Sequence, residues 1–183
     1  MSLARIRIAA RLLAVAAMAA LTAGCFQPMY AEHTDGTPGL RDKLLGVELP
    51  PVDKPNASPE ARIGVEIRNA LAFKMYGTAT GTAPTHKLVL KFTSSRSSLI
   101  VSPTTGLPTS ENFGIDAQYN LIEIGTSKSA MTGTTFSRVT YDMPGSYQRF
   151  ARTRALRDAE DRAAQEIADN IQTRLASFFF AGT

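Results

Sequence analysis

Residues 113–121 alternate strictly between apolar side chains and polar or small ones, and this pattern limits the fold more than any other feature of the sequence. Successive side chains of a β-strand point to opposite faces of the sheet, so the alternation predicts a strand with one buried and one solvated face. Residues 86–93 repeat the pattern. The apolar positions of the two segments are Leu88, Leu90, Phe92, Phe113, Ile115, Ala117, Tyr119 and Leu121.

Two segments have the periodicity of amphipathic helices that can cover such a sheet. The first begins after Ser58, whose hydroxyl can cap the helix, has Pro59 at its first position and ends at Tyr76. Its apolar positions are Ile63, Ile67, Ala70 and Leu71. The second runs from Tyr147 to Phe179, and its apolar stripe consists of Leu156, Ala159, Ala163, Ile167, Ile171, Leu175 and Phe178. Each stripe requires an apolar surface to pack against.

Two further segments are predicted to complete the sheet. A short apolar run at residues 44–49, closed by two prolines, predicts a first strand. A hairpin loop at residues 125–130 leads to a return strand at residues 131–142. The apolar residues of that strand change parity midway, which predicts a β-bulge. These residues are Phe136, Val139 and Tyr141.

The predicted order is therefore β-α-β-β-β-α, and the predicted fold class is α+β. The first helix can connect two parallel strands by a right-handed crossover, whereas the last three strands follow one another without helices. We expect a two-layer sandwich in which a mixed four-stranded sheet carries both helices on one face. Polar side chains line the other face, and they are Lys87, Lys91, Asp116, Gln118 and Asn120.

Residues 94–112 form a long polar segment between the second and third strands. Loops of this length inside a domain are often functional, but the segment can also extend the flanking strands into a long ribbon. An apolar triplet, Leu99 to Val101, lies within it. These three residues either pack locally as the end of a strand or form a contact surface.

Residues 1–24 have the three parts of an export signal. A basic start with Arg5, Arg7 and Arg11 precedes an apolar run that is too short to span a bilayer, and small residues follow. Removing these three arginines lowers the formal net charge of the chain from +4 to +1. A nearly neutral chain lacks the clustered positive potential that binds nucleic acid, so we expect no nucleic-acid partner.

Cys25 is the only cysteine of the chain and follows this leader directly. Residues 21–25 resemble the bacterial lipobox, in which the cysteine becomes the lipidated first residue of the mature protein. The alternative is a plain secretory signal followed by a free thiol. Three acyl chains would hold the protein firmly at a membrane. We predict a lipidated amino terminus and tether at residues 25–41 and a folded domain at residues 42–183.

The usual components of catalytic sites are missing from the sequence. Its two histidines, His33 and His86, are too few for a multi-histidine metal site, and neither a phosphate-binding glycine-rich loop nor a serine elbow occurs. We therefore predict no enzymatic activity and no cofactor. Several charges of the last helix lie four residues apart, as is typical of a solvated helix face, and these pairs are Arg157–Asp161, Asp158–Arg162 and Arg162–Glu166.

One group of charges does not fit a solvated face. Arg149, Arg152 and Arg154 lie at the start of the last helix, where the helix dipole favours acidic residues. Either the helix begins later than the pattern suggests and the arginines are solvated, or the arginines and the first helix amides form an anion site. Arg138 on the preceding strand and Lys128 in its hairpin can enlarge such a site.

Three short segments, together with the order of strands and helices, resemble the LptE family of outer-membrane lipoproteins that assemble lipopolysaccharide. They are residues 25–30 (CFQPMY), 161–164 (DRAA) and 174–179 (RLASFF). The resemblance implies a non-enzymatic protein that plugs the outer-membrane β-barrel LptD, assists the assembly of that barrel and contacts lipopolysaccharide. Phe26 after the cysteine also resembles lipoproteins that are sorted to the outer membrane.

The resemblance also implies where lipopolysaccharide is contacted. In the family, basic residues after the second strand and just before the last helix are associated with this contact. The second region corresponds to Arg149 and Arg152, with Arg154 beside them, and the first corresponds to Arg96.

Two other classes of protein stay open. An auxiliary lipoprotein of an ABC-type lipid transport system would contain a deep apolar cavity. A periplasmic enzyme would contain a concave cluster of acids with perturbed pKa values.

Overall fold

The computed structural model describes residues 38–77, 83–143 and 148–181. Its helices are α1 (Leu40–Leu45), α2 (Pro59–Tyr76) and α3 (Arg149–Ala181), and its strands are β1 (Val47–Glu48), β2 (His86–Val101), β3 (Pro108–Glu123) and β4 (Ser129–Asp142). All of them belong to one unit, Leu40–Thr183. The predicted leader, the lipobox with Cys25 and most of the tether lie outside the described residues.

The four strands form a single mixed sheet in the order β1-β2-β3-β4. β1 pairs with β2 in parallel, while β2, β3 and β4 pair antiparallel. Both long helices pack on one face of this sheet, where the side chains are buried. The predicted α+β sandwich is therefore confirmed. In the described part of the chain, no helix is long and apolar enough to cross a membrane.

The alternating segments behave as the sequence predicts. Every apolar position of residues 113–121 is buried, and Leu88 and Phe92 of β2 are buried beside them. Register pairs such as Lys91 with Gln118 put the predicted polar residues together on the other face. Among the described residues, the helices therefore cover one face of the sheet, because the two helical stripes pack there.

β2 and β3 form a long ribbon that includes the polar segment 94–112. The strands pair from His86 opposite Glu123 to Val101 opposite Pro108, with register shifts after Ser98. The ribbon interpretation of this segment is therefore confirmed, and the loop itself is short. Backbone pairing with β3 extends the strand beyond the residues that the core buries.

Helix α2 begins and ends as the sequence predicts. The N–H of Ala61 donates a hydrogen bond to Ser58 Oγ at 3.0 Å, and Pro59 opens the helix. Gly77 ends it with a φ of 58°, a conformation that costs glycine little.

The predicted first strand at residues 44–49 is mostly wrong. Residues 40–45 form α1, and only Val47 and Glu48 pair with β2. Leu40 and Leu44 are both buried because residues four apart share one side of a helix. The helix also begins two residues before the predicted start of the domain.

The bulge predicted in the middle of β4 is absent. The register of β4 with β3 is continuous from Met131 to Asp142, and the one irregularity lies at the start of the strand. Phe136 instead points to the polar face of the sheet and is 66% exposed. The change of parity therefore reflects an exposed aromatic residue and not an extra residue in the strand.

Candidate anion-binding site

A groove of about 650 Å³ lies between the amino-terminal ends of α2 and α3. Arg96 of β2 lines it, since position 96 faces the helices in register with Phe113. The helices contribute polar and apolar side chains, among them Arg62, Val65, Thr153, Leu156 and Arg157. This arginine groove is therefore built by three elements that are distant in sequence.

The arginines at the start of α3 point in two directions. The helix begins at Arg149 and has no acidic residue in its first turn. Arg149 and Arg152 are three residues apart and share one side of the helix. Arg154 lies on another side, where its guanidinium is 5.9 Å from the ring centroid of Phe150. The three predicted arginines therefore do not form one cluster.

The charges of Arg152 and Arg96 both act on the hydroxyl of Tyr141. Its hydroxyl donates a hydrogen bond to Glu111 Oε2 at 2.5 Å, across directly paired positions of β3 and β4. Burial, and then the bond and charge of Glu111, raise the pKa of Tyr141 to about 12, while the charges of Arg96 and Arg152 lower it. Two of the predicted arginines thus lie within electrostatic range of one side chain.

Arg138 does not extend this group, because its position in β4 faces the opposite side of the sheet. Its guanidinium donates to both carboxylate oxygens of Asp116, at 2.7 and 2.9 Å. The side chain crosses Gly114, where a Cβ would lie 3.0 Å from Arg138 Cδ. Lys128 precedes the start of β4, at the far end of this 14-residue strand from Met143.

Only one of the three predicted ion pairs within α3 forms. Arg162 Nε donates to Asp158 Oδ2 at 2.8 Å. Asp161 instead contacts Arg62 of α2 at 3.4 Å, and Glu166 accepts a hydrogen bond from Ser137 of β4 at 2.6 Å.

The sequence therefore missed two cations of the groove, Arg62 and Arg157. Arg62 also pairs with the buried carboxylate of Glu160, which ties α2 to α3. Its role depends on a contact between helices that no sequence spacing reveals. Arg157 was predicted only as the partner of Asp161, and Asp161 pairs with Arg62 instead.

Five arginines at this end of the domain have no carboxylate partner within residues 38–77, 83–143 and 148–181. One of them, Arg154, lies over Phe150. The other four, which we call the arginine cluster, are Arg96, Arg149, Arg152 and Arg157. Guanidinium groups bind phosphate and carboxylate through paired, charge-assisted hydrogen bonds. The same described ranges contain no group of three His, Cys, Asp or Glu side chains that suits a metal ion. The arrangement is therefore suited to binding an anion.

Two solved structures have a similar fold. A candidate lipoprotein from Caulobacter crescentus CB15 superposes with a TM-score of 0.60 at 22% identity, over 79% of this chain and 97% of that one. Rare lipoprotein B from Shewanella oneidensis superposes with a TM-score of 0.51 at 18% identity, over 74% and 96% of the two chains. No curated protein matches this chain by sequence. These similarities show that the three chains share an α+β fold.

The sequence profile of LptE, a lipopolysaccharide-assembly family, matches residues 45–175. This range includes the whole sheet, α2 and most of α3. The chain belongs to the LptE family, and its role is that of a lipoprotein in lipopolysaccharide assembly.

Proposed function

We propose that this protein plugs the outer-membrane β-barrel LptD, assists the assembly of that barrel and contacts lipopolysaccharide through the arginine cluster. Membership of the LptE family supports the first two parts. The third part depends on one observation, which is that Arg96 and Arg157, two arginines without carboxylate partners among the described residues, line the arginine groove, while the charges of Arg96 and Arg152 act on the same phenol. The proposal assigns no catalytic step and no cofactor to the chain.

The chemistry of the arginine cluster fits the phosphate groups of lipid A. A phosphate accepts two hydrogen bonds from one guanidinium, and several guanidinium groups around one groove can share its charge. The carboxylate of Glu111 accepts the hydroxyl of Tyr141 and forms no ion pair with an arginine of the described residues. Arg138 is already paired with Asp116, so it has no part in the proposed contact.

The architecture also suits a plug in a hydrated barrel. Two long helices and the sheet share one core, which makes a rigid body, and the uncovered face of the sheet is polar. Exposed Lys91, Asp116 and Gln118 can face water or polar groups of a barrel wall. We further propose that acylated Cys25 attaches the protein to the periplasmic side of the outer membrane.

Removing two arginines of the cluster tests the lipid contact. We expect Arg149→Ala with Arg152→Ala to weaken binding to phosphorylated lipid A by about tenfold or more, since each charge-assisted contact contributes about 1.5–3 kcal/mol. Binding to dephosphorylated lipid A should change much less. Direct binding assays on the full mature lipoprotein give both affinities.

Arg154→Ala is the matched control for this experiment. It removes one positive charge from the same end of α3, but its guanidinium lies over Phe150 on another side of the helix. Equal losses for phosphorylated and dephosphorylated lipid A in the double variant, or an equal loss in the control, would contradict the phosphate contact.

Co-purification tests the partner. The lipidated protein, extracted in mild detergent, should retain a large outer-membrane barrel, and its depletion should lower the amount of surface lipopolysaccharide. An isolated lipoprotein combined with normal surface lipopolysaccharide would exclude the plug function.

The auxiliary role in ABC-type lipid transport gains no support from the described residues. That role requires a deep apolar cavity. Three grooves formed by the described residues are instead bordered by charged side chains, such as Lys91, Arg62 and Asp142.

A further inference from the structure

The ribbon tip, residues 97–110, carries an exposed aliphatic surface. Leu99, Ile100, Val101 and Leu107 are each at least half exposed. The first three are successive residues of one strand, so their side chains cannot all lie on one face of the ribbon. The tip is therefore apolar on both faces, which suits a surrounding apolar medium better than a flat docking partner.

The ribbon tip is also uncharged, and its turn contains two internal backbone hydrogen bonds. No ionisable side chain occurs between Arg96 and Glu111. The N–H of Ser102 donates to Leu107 O at 2.9 Å, and the N–H of Gly106 donates to Ser102 O at 2.8 Å. The prolines at positions 103 and 108 have no N–H to satisfy. These bonds and prolines reduce the number of free backbone donors in the turn, whereas no described strand pairs with the outer edge of β2 beyond Lys87.

The ribbon tip continues directly from the arginine cluster. Leu99 follows Arg96 by three residues, which corresponds to about 10 Å along a strand. A lipid whose phosphate lies at the cluster can therefore place its acyl chains on the tip. A second copy of this chain fits less well, because stacking two tips would bring two arginine clusters toward each other.

We propose that the ribbon tip is the acyl-chain part of the lipid site and that its occupant is the hydrocarbon of lipopolysaccharide. Arg96, Arg149 and Arg152 hold the phosphates, and the aliphatic side chains of the tip contact the acyl chains next to them. This inference rests on the proposed function, since the phosphate contact brings the lipid to the tip.

A single tryptophan reports whether the tip enters hydrocarbon, because the chain has no natural tryptophan. We expect the emission of Ile100→Trp in the full mature lipoprotein to move to shorter wavelength when lipid A is added. The deacylated, phosphorylated sugar should not produce this change. The control is Phe73→Trp on α2, where the natural side chain is 74% exposed and far along the helix from the groove. Its emission should stay the same.

Replacing the triplet separates this inference from the proposed function. Leu99→Ser with Ile100→Ser and Val101→Ser should weaken lipid A binding by about tenfold, since several CH₂ groups lose apolar contact. It should leave binding of the deacylated, phosphorylated sugar unchanged. The double variant Arg149→Ala/Arg152→Ala should weaken binding of both ligands.

The outcomes of these experiments distinguish the acyl-chain assignment from the phosphate contact. Unchanged lipid A binding by the triplet variant, or an emission change that follows protein concentration without lipid, overturns the acyl-chain assignment while leaving the phosphate contact intact. Failure of the natural protein to bind either ligand overturns the proposed function and the assignment with it.

Discussion

The two halves of the β2–β3 ribbon are both paired antiparallel but differ in how far the core covers them. In the proximal half, residues 86–93 and 116–123, Leu88 and Leu121 are at most 2% exposed. In the distal half, residues 94–101 and 108–115, Phe113 and Ile115 are still buried, but Ile100 near the tip is 60% exposed. The buried stripe of α3 begins only at Ala159, so the first turns of that helix add little apolar cover. The proximal half stabilises the fold, and the exposed end of the distal half is available for binding.

Truncating the core should produce the largest difference between the halves. Ile171→Ala removes a fully buried side chain that packs in the core, so we expect it to lower the free energy of unfolding by about 2–5 kcal/mol. Ile100→Ala at the ribbon tip should change it by about 0.5 kcal/mol or less. Urea denaturation measures both values. Similar losses for the two variants would show that the distal half also belongs to the stabilising core.

A smaller effect is expected from the close packing of Tyr119 on Gly133. A Cβ at position 133 would meet the ring and hydroxyl of Tyr119, which is buried on the covered face of the sheet. Gly133→Ala should therefore destabilise the protein by about 1–3 kcal/mol. Gly125→Ala in the hairpin is the matched control, because nothing lies within 4 Å of its Cβ position. Equal stability of the two variants would argue against close packing at this position.

The smallest effect concerns Tyr141 of β4, which pairs with Glu111 of the distal half, and it appears only at high pH. Its pKa is raised from 10.0 to about 12, so the folded state favours the neutral phenol. The resulting stabilisation is complete below pH 10 and is lost as the pH rises through about 12. Tyr141→Phe should therefore lose less stability than the natural protein between these values.

Urea denaturation at pH 9 and pH 11 provides this comparison. Tyr119→Phe serves as a control for general alkaline effects, since burial also raises the pKa of Tyr119 but no carboxylate contacts its hydroxyl among the described residues. Identical pH dependence of the natural protein and Tyr141→Phe would mean that the Tyr141–Glu111 bond does not hold the phenol neutral.

Many of the strands and helices around the core could be predicted from local sequence. The alternation of residues 113–121 and the cap at Ser58 fix their elements because strand pleat and helix capping act over a few residues. The run at residues 44–49 was predicted wrongly, since short apolar runs fit a helix or a strand equally well. Leu40 and Leu44 lie four residues apart and are both buried, as expected for a helix that packs on the core.

The candidate site was less predictable because it depends on contacts between distant segments. Asp161 binds Arg62 of another helix, and this leaves Arg157 without its predicted partner. Arg138 lies on the polar face of the sheet, which the buried positions Val139 and Tyr141 already indicate by parity. The exposed Phe136 obscured that signal in the sequence.

Amide hydrogen exchange of the full mature lipoprotein, with and without lipid A, tests most directly the division between a stabilising and a binding half. We predict that lipid A slows exchange at residues 94–112 and 149–157 and leaves α1 and the proximal half of the ribbon unchanged. Slower exchange mainly in α1 and the proximal half, or no change anywhere in a complex that does form, would contradict the account.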